Sequence, residues 1–292
     1  MFRIKIEIMF KQFYENIVEP QQEKSWIFVI GSYLLDIAII IFLMSLVYPK
    51  GWLSPIDYAT EGIINTTLVA SLLLFLIVII LLICVIGKEK PRNIGLKGSK
   101  IPVGIITFFG FYLLLNILLL IINVAAQQPL IWYPYWLYSS TPGLTWDVGD
   151  LLGQIFGNVL LEEVFFRGFI FIQMTKKFTK LMQNSTWGII NGAIVSNFLF
   201  SLLHIPTLIK QGFHGASMAL TLLLLFGIGI LLTSVYFITE NLFVVMSVHV
   251  FYNISFALFY PIIPTYLLVI IFTIVGLIIW GILKYKFEKI RS

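Results

Sequence analysis

The sequence predicts an all-α protein, a polytopic bundle of about eight transmembrane helices around a polar intramembrane cavity. Three observations favour this fold class: 59% of the 292 residues are hydrophobic, only 11% are charged, and long apolar stretches recur along the chain. A soluble domain carries roughly a quarter charged residues. The composition therefore excludes an ordinary soluble domain and indicates an integral, multi-pass membrane protein.

Eight stretches come close to the length of about 20 apolar residues that a helix needs to span the hydrocarbon core. Their approximate bounds are 26–47, 63–87, 101–124, 149–174, 187–209, 217–238, 242–259 and 262–283. The intervening segment 125–148 is rich in Trp, Tyr and Pro, which is typical of an interfacial aromatic belt. The chain divides into four predicted regions. Residues 1–25 form an interfacial or cytoplasmic arm, and residues 26–148 form the N-terminal helices and the aromatic loop. Residues 149–260 form a core with most of the polar residues of the spans, and residues 261–292 form the last helix and a basic tail.

The basic residues predict the orientation of the bundle. Of 19 lysines and arginines, 16 lie in the N-terminal arm or in the segments 88–100, 176–180 and 284–291. With eight spans these segments share one side of the membrane, and positive charge is retained on the cytoplasmic side. Both termini are therefore expected in the cytoplasm. The Lys- and Ile-rich composition is compatible with a low-GC bacterium, so a bacterial plasma membrane is the expected location. The net charge of +5 then reflects orientation and contact with anionic lipid, not nucleic-acid binding.

The stretch LLEEVFFRGFIF places three ionisable side chains inside the fourth predicted span. Charged residues within a span are costly and usually face a cavity or a partner. Glu163 and Arg167 are i and i+4 on a helix, so they share a face and can pair. Glu162 lies about 140° around the helix from Arg167, which leaves it available for general acid–base chemistry. The alternative is that the whole cluster is a structural charge network.

Two later segments add histidines inside predicted spans. FLFSLLHIP puts Phe200 and His204 on one helix face, followed by a proline that is expected to kink or end the helix. SVHVFYN puts His249 and Asn253 at i and i+4. Each segment alone is also compatible with a structural hydrogen bond between helices. Together with Glu162, they predict a pocket that can activate water and stabilise an oxyanion.

These three motifs, in this order, resemble the signature of the CPBP (CAAX protease and bacteriocin-processing) intramembrane protease family, which reads EExxxR, FxxxH and HxxxN. The family includes the CAAX prenyl endopeptidases and bacterial members linked to bacteriocin self-immunity. The resemblance covers about 150–255, so the region 149–260 is expected to be the catalytic core.

The resemblance implies a role for each motif residue. Glu162 would be the catalytic carboxylate, His204 would help it bind and activate water, and His249 and Asn253 would form the oxyanion hole. The other motif residues would support the site: Glu163 as the partner of Arg167, and Phe200.

Two mechanisms fit these residue types. A glutamate-type mechanism needs no cofactor, whereas Glu162, His204 and His249 could also supply the three ligands of an open zinc site. The HExxH pattern of many zinc proteases is absent, and Glu163 is the only evident carboxylate that could orient a histidine ligand. The mechanism without a metal is therefore favoured over zinc.

The predicted function is that of an intramembrane endopeptidase whose partners are the bilayer and a membrane-associated peptide or protein substrate. The alternative is a non-proteolytic membrane scaffold, or a regulator of bacteriocin immunity or signalling, that uses the polar cluster as structural glue. A transporter is less favoured because no inverted repeat or pair of broken helices is evident. Asp36, in the first span, fits none of the motifs. Three explanations stay open: it pairs with Arg167, it bonds to a neighbouring helix, or the first span lies less deep in the membrane than its predicted bounds indicate.

Overall fold

The computed structural model describes residues 2–132 and 144–291, and in these ranges it is a bundle of helices without a β-strand. The predicted all-α, polytopic fold class is therefore confirmed. Most of the predicted aromatic loop falls in 133–143, outside the described residues. The helices are α1 (2–18), α2 (Trp26–Val47), α3 (Ser54–Ala59), α4 (Thr66–Ile86), α5 (Ile101–Ala125), α6 (144–182), α7 (Ser185–Leu203), α8 (Ile205–Lys210), α9 (Gly215–Thr239), α10 (Leu242–Asn253) and α11 (Thr265–Arg291).

Six segments of the described chain are helical, long and apolar enough to cross a membrane. They correspond to six of the eight predicted spans and are Trp26–Val47, Thr66–Ile86, Gly98–Ala125, Ser185–Lys210, Gly215–Thr239 and Thr265–Ile282. The other two predicted spans fall on helices that are not among these six candidate membrane spans. The fourth lies within α6, which carries the charged motif, and the seventh overlaps α10, which has only 12 residues.

Helix α10 ends earlier than predicted, since the seventh span was expected to continue to residue 259. The chain after Asn253 is not helical, and the carboxamide of Asn116 on α5 pairs with this stretch. Its Nδ2 donates to the carbonyl oxygen of Phe256 at 3.0 Å, and its Oδ1 accepts from the amide of Leu258 at 2.7 Å. Irregular backbone inside a membrane protein requires such internal partners. The buried amide of α5 thus explains why the helix can stop inside the bundle.

Helix α6 is the central helix of the bundle. Residues 163–175 are all buried, and the helix packs against α4, α7 and α10. Two of its stretches, Gly153–Val159 and Glu163–Ile170, have π-helical hydrogen bonding, a feature that is frequent at functional sites. Because protein surrounds this part of the helix, the charged side chains of the EExxxR motif meet polar groups of neighbouring helices rather than lipid.

The predicted N-terminal arm contains a helix that packs against the bundle. Phe13 and Ile17 of α1 belong to the main hydrophobic core. Just beyond α1, the buried side chain of Gln21 donates hydrogen bonds to the carbonyl oxygens of Asn93 at 2.9 Å and Gly168 at 2.5 Å. The arm is therefore tied to the central helix immediately after the EExxxR motif.

Gly168 is the point at which α6 touches the loop that precedes α5. A Cβ atom at this position would overlap the backbone carbonyl of Ile94. We expect Gly168→Ala to destabilise the protein by about 1–3 kcal/mol through overpacking, measured as a lower midpoint of thermal unfolding in detergent. The matched control is Gly110→Ala in α5, where the space around the glycine is open and the change should be neutral or stabilising by up to about 1 kcal/mol. Equal midpoints for the two variants would contradict this contact.

Candidate active site

The two adjacent glutamates of α6 lie in different surroundings. The side chain of Glu163 is 0% exposed, whereas that of Glu162 is 19% exposed. Glu163 Oε1 lies 3.0 Å from Arg167 Nη1, so the i,i+4 ion pair expected from the spacing is present. The pair occupies the closed interior, and Glu162 faces open space.

Arg167 is fully enclosed by polar and aromatic partners. Besides the bond to Glu163, its Nη2 donates to Asn197 Oδ1 at 3.4 Å and to the carbonyl oxygen of Gly229 at 3.3 Å. Its guanidinium carbon lies 4.5 Å from the centre of the Phe200 ring, within the range of a cation–π contact. The expectation that Asp36 pairs with Arg167 finds no support, because the Nη groups already have these partners and Asp36 is not among them.

His249 lies between the two glutamates. Its Nδ1 is 2.6 Å from Glu163 Oε1, and its Nε2 is 3.7 Å from Glu162 Oε2. Glu163 is paired with an arginine and can act only as an acceptor when ionised, so the Nδ1 atom carries the hydrogen of this bond. Glu163 therefore orients the imidazole and directs its Nε2 towards Glu162. The sequence identified Glu163 as the only evident carboxylate that could orient a histidine, but it did not indicate which histidine.

His204 lies at the break between α7 and α8, where Pro206 begins the next short helix, as the proline predicted. Its Nδ1 lies 2.9 Å from the carbonyl oxygen of Phe200. A carbonyl oxygen only accepts hydrogen bonds, so Nδ1 carries the hydrogen and the Nε2 of the neutral ring is an acceptor. The Phe200 ring contacts both imidazoles, with its centre 4.8 Å from that of the His204 ring and 6.2 Å from that of the His249 ring.

Asn253 is the last residue of α10 and is exposed to the cavity described below. Its Nδ2 donates to Gln154 Oε1 at 3.0 Å. Gln154 was missed in the sequence, although it precedes Glu162 by eight residues and Asn158 by four. That spacing places all three on one face of a helix, which is the signal that could have identified Gln154.

A cavity of about 370 Å³ brings together several of the predicted residues. Glu162, His204 and Asn253 line it, together with Gln154 and Asn158. His249 is not part of the lining, but its Nε2 lies 3.7 Å from Oε2 of the lining residue Glu162. Asp36 of α2 also lines this cavity, so it joins the site although no motif includes it.

The zinc alternative requires Glu162, His204 and His249 to converge on one point. In residues 2–132 and 144–291, no group of three or more His, Cys, Asp or Glu side chains is arranged to hold a metal ion.

Comparison with known protein families gives a match that covers the candidate site. Residues 144–255 match the family model described as type II CAAX prenyl endopeptidase, Rce1-like. The matched range begins with α6, ends just after α10 and contains all three motifs. The comparisons with curated proteins and with solved structures gave no match. The family that the three motifs predicted, that of the CPBP and CAAX proteases, is thus the one whose model residues 144–255 match.

Proposed function

We propose that this protein is an intramembrane endopeptidase that hydrolyses a peptide bond of a membrane-associated peptide or protein. The observation that carries the proposal is the cavity itself, in which a partly exposed glutamate, a histidine with a free acceptor nitrogen and an asparagine amide face the same space. The matched family is one of proteases, which is consistent with this chemistry.

Glu162 is the proposed general base. It is the glutamate of the pair that reaches the cavity, and its one ion-pair contact among the described residues is the 3.7 Å approach of His249 Nε2. Because Arg167 is occupied by Glu163, Glu162 is free to accept a proton from water as the water oxygen attacks the scissile carbonyl carbon. His204 assists by accepting a hydrogen bond from the same water at Nε2.

The oxyanion that forms in this attack needs hydrogen-bond donors. One N–H of the Asn253 amide is held by Gln154, which fixes the amide and leaves the second N–H for the oxyanion. His249 can donate from Nε2 only when both of its ring nitrogens carry hydrogen, and the carboxylates of Glu163 and Glu162 flank it as counter-charges. Glu163 is thus a positioning residue for His249.

The walls of the cavity indicate which substrates fit. Apart from the polar residues named above, most of the lining is apolar, and it comes from α2, α4, α6 and α7: Ile40, Leu43, Met44, Ala70, Leu74, Leu161, Phe165, Phe166 and Leu203. A peptide with apolar residues next to the scissile bond suits this surface. The proposal for this chain is therefore a membrane-embedded or lipid-associated substrate, of which a CAAX protein is one case.

We also propose a bacterial plasma-membrane location with both termini in the cytoplasm, based on the clustering of 16 of the 19 basic residues. Reporter domains fused to each end and assayed for cytoplasmic activity would test this orientation, and an inactive reporter at either end would contradict it.

The test of the function is hydrolysis by the full chain. The protein reconstituted in liposomes should cleave members of a library of internally quenched apolar peptides, with the cleavage sites identified by mass spectrometry. Since the proposed mechanism uses no metal, the rate should be unchanged by EDTA or 1,10-phenanthroline. Absence of cleavage in all peptides would favour the scaffold alternative, and a loss on chelation that Zn²⁺ restores would contradict the metal-free mechanism.

A further inference from the structure

Asp36 is a buried carboxyl group that reaches the candidate active site from outside the matched domain. It belongs to α2, and its relative exposure is 1%. It lines the same cavity as Glu162. Ile40, Leu43 and Met44 line the cavity from the same stripe of α2, so Asp36 lies at one end of an otherwise apolar wall.

The observed contacts of Asp36 do not explain why a carboxyl group is buried at this position. Its Oδ1 is buried and has no hydrogen-bond partner among the described residues. A buried polar group without a partner is costly and calls for an explanation. Asp36 also interacts electrostatically with Glu162. Two carboxyl groups that line one cavity can act as an acid and a base on the same bound group.

Peptide hydrolysis requires an acid as well as a base. When the tetrahedral intermediate collapses, the amine leaves as a neutral group only if its nitrogen receives a proton. The ionisable side chains that line the cavity are Asp36, Tyr48, Glu162 and His204. Glu162 takes the proton of water, and the experiment below separates the return of this proton to the amine from donation by a second acid. His204 uses its Nδ1 hydrogen in the bond to the carbonyl oxygen of Phe200, and its Nε2 is an acceptor when the ring is neutral. Tyr48 carries a phenol, which is a weaker acid than a carboxyl group, so Asp36 is the better remaining acid.

We propose that Asp36 is a second catalytic residue, which donates a proton to the leaving amine. This inference rests on the proposed endopeptidase function. In the first step the water oxygen bonds to the carbonyl carbon, and one water proton passes to the carboxylate of Glu162. In the second step the C–N bond breaks as the amide nitrogen receives the proton of the Asp36 carboxyl group. The products are a carboxylic acid and an amine, and transfer of the proton from Glu162 to Asp36 restores the starting state.

The experiment compares two leaving groups in the full-length protein. The probes are an internally quenched peptide that the unmodified protein cleaves and a depsipeptide of the same sequence with an ester oxygen in place of the scissile N–H. An alkoxide leaves without prior protonation, so the ester does not need the acid. Asp36→Asn should slow hydrolysis of the peptide by about 10²–10⁴-fold, the usual contribution of a general acid, and hydrolysis of the ester by less than about tenfold.

The ester rate also reports whether the variant is folded. Equal losses on both probes, or no loss on either, would overturn the role of Asp36. Glu162→Gln should lose both activities, so a failure of the proposed function is distinguishable from a failure of this inference. The matched control is Ser32→Ala, which lies one turn earlier on α2, is buried and donates its hydroxyl hydrogen to the carbonyl oxygen of Val29 in its own helix. It should leave both rates unchanged.

Discussion

Glu162→Gln is expected to abolish peptide hydrolysis while the protein keeps its fold. Glutamine has nearly the same shape but cannot accept a proton from water, and loss of a general base costs about 10²–10⁴-fold in rate. The fold should tolerate the change, because Glu162 is partly exposed to the cavity and its ion-pair contact with His249 is 3.7 Å long. The measurement is kcat on a cleavable peptide, together with the thermal unfolding midpoint in detergent.

The neighbouring position supplies the contrast for this experiment. Glu163→Gln also removes one negative charge, but it leaves the buried guanidinium of Arg167 without its carboxylate. It should therefore lower the unfolding midpoint, whereas Glu162→Gln should not. The exposed Glu61 is the control for a charge change alone, and Glu61→Gln should affect neither activity nor stability. Substantial residual hydrolysis by Glu162→Gln would contradict its assignment as the base.

The features of the site that follow from spacing along one helix could be predicted from the sequence. Glu163 and Arg167 pair as their i,i+4 spacing required, and the different position of Glu162 on the helix agrees with its opening to the cavity. The break of the helix before Pro206 was also predictable, since proline cannot continue the hydrogen-bond pattern. Local geometry determines these features, and local geometry is what a sequence pattern describes.

The contacts between helices could not be predicted in this way. The bond from His249 to Glu163 joins residues 86 apart, and the bond from Asn253 to Gln154 joins residues 99 apart. Both depend on the register and rotation of α10 relative to α6, which close packing of many side chains sets. For the same reason the sequence left the partner of Asp36 open, since the wall that α2 contributes exists only in the assembled bundle.

The end of α10 illustrates a related limit. Hydropathy predicted a span continuing to residue 259, because the residues after Asn253 are still largely apolar. The helix stops because Asn116, on another helix, satisfies the backbone of the following stretch. A single polar residue about 140 positions away thus overrides the local pattern, and it also leaves Asn253 at a helix end, where it can face the cavity.

Arg167→Met is expected to be the most destabilising of the substitutions considered. It leaves Glu163, which is 0% exposed, as a buried negative charge whose remaining partner is His249. Breaking a buried pair by removing one partner costs about 3–5 kcal/mol, and total stabilities of folded proteins are only about 5–15 kcal/mol. The change should appear as a large fall in the free energy of unfolding, measured by denaturant titration in detergent micelles, and as a low yield of folded protein.

The double variant Glu163→Gln/Arg167→Met shows how much of the stability lost in Arg167→Met comes from the broken ion pair and how much from the other contacts of the arginine. The ion pair is not ideally satisfied, because Glu163 Oε2 and Arg167 Nε have no hydrogen-bond partner among the described residues. Neutral side chains of similar size can replace an imperfect buried pair at little cost, and the introduced glutamine could still accept the hydrogen bond of His249. The double variant should therefore regain most of the stability that Arg167→Met loses. If it is as unstable as the single variant, the guanidinium stabilises the fold through Asn197, Gly229 and Phe200 and not through Glu163.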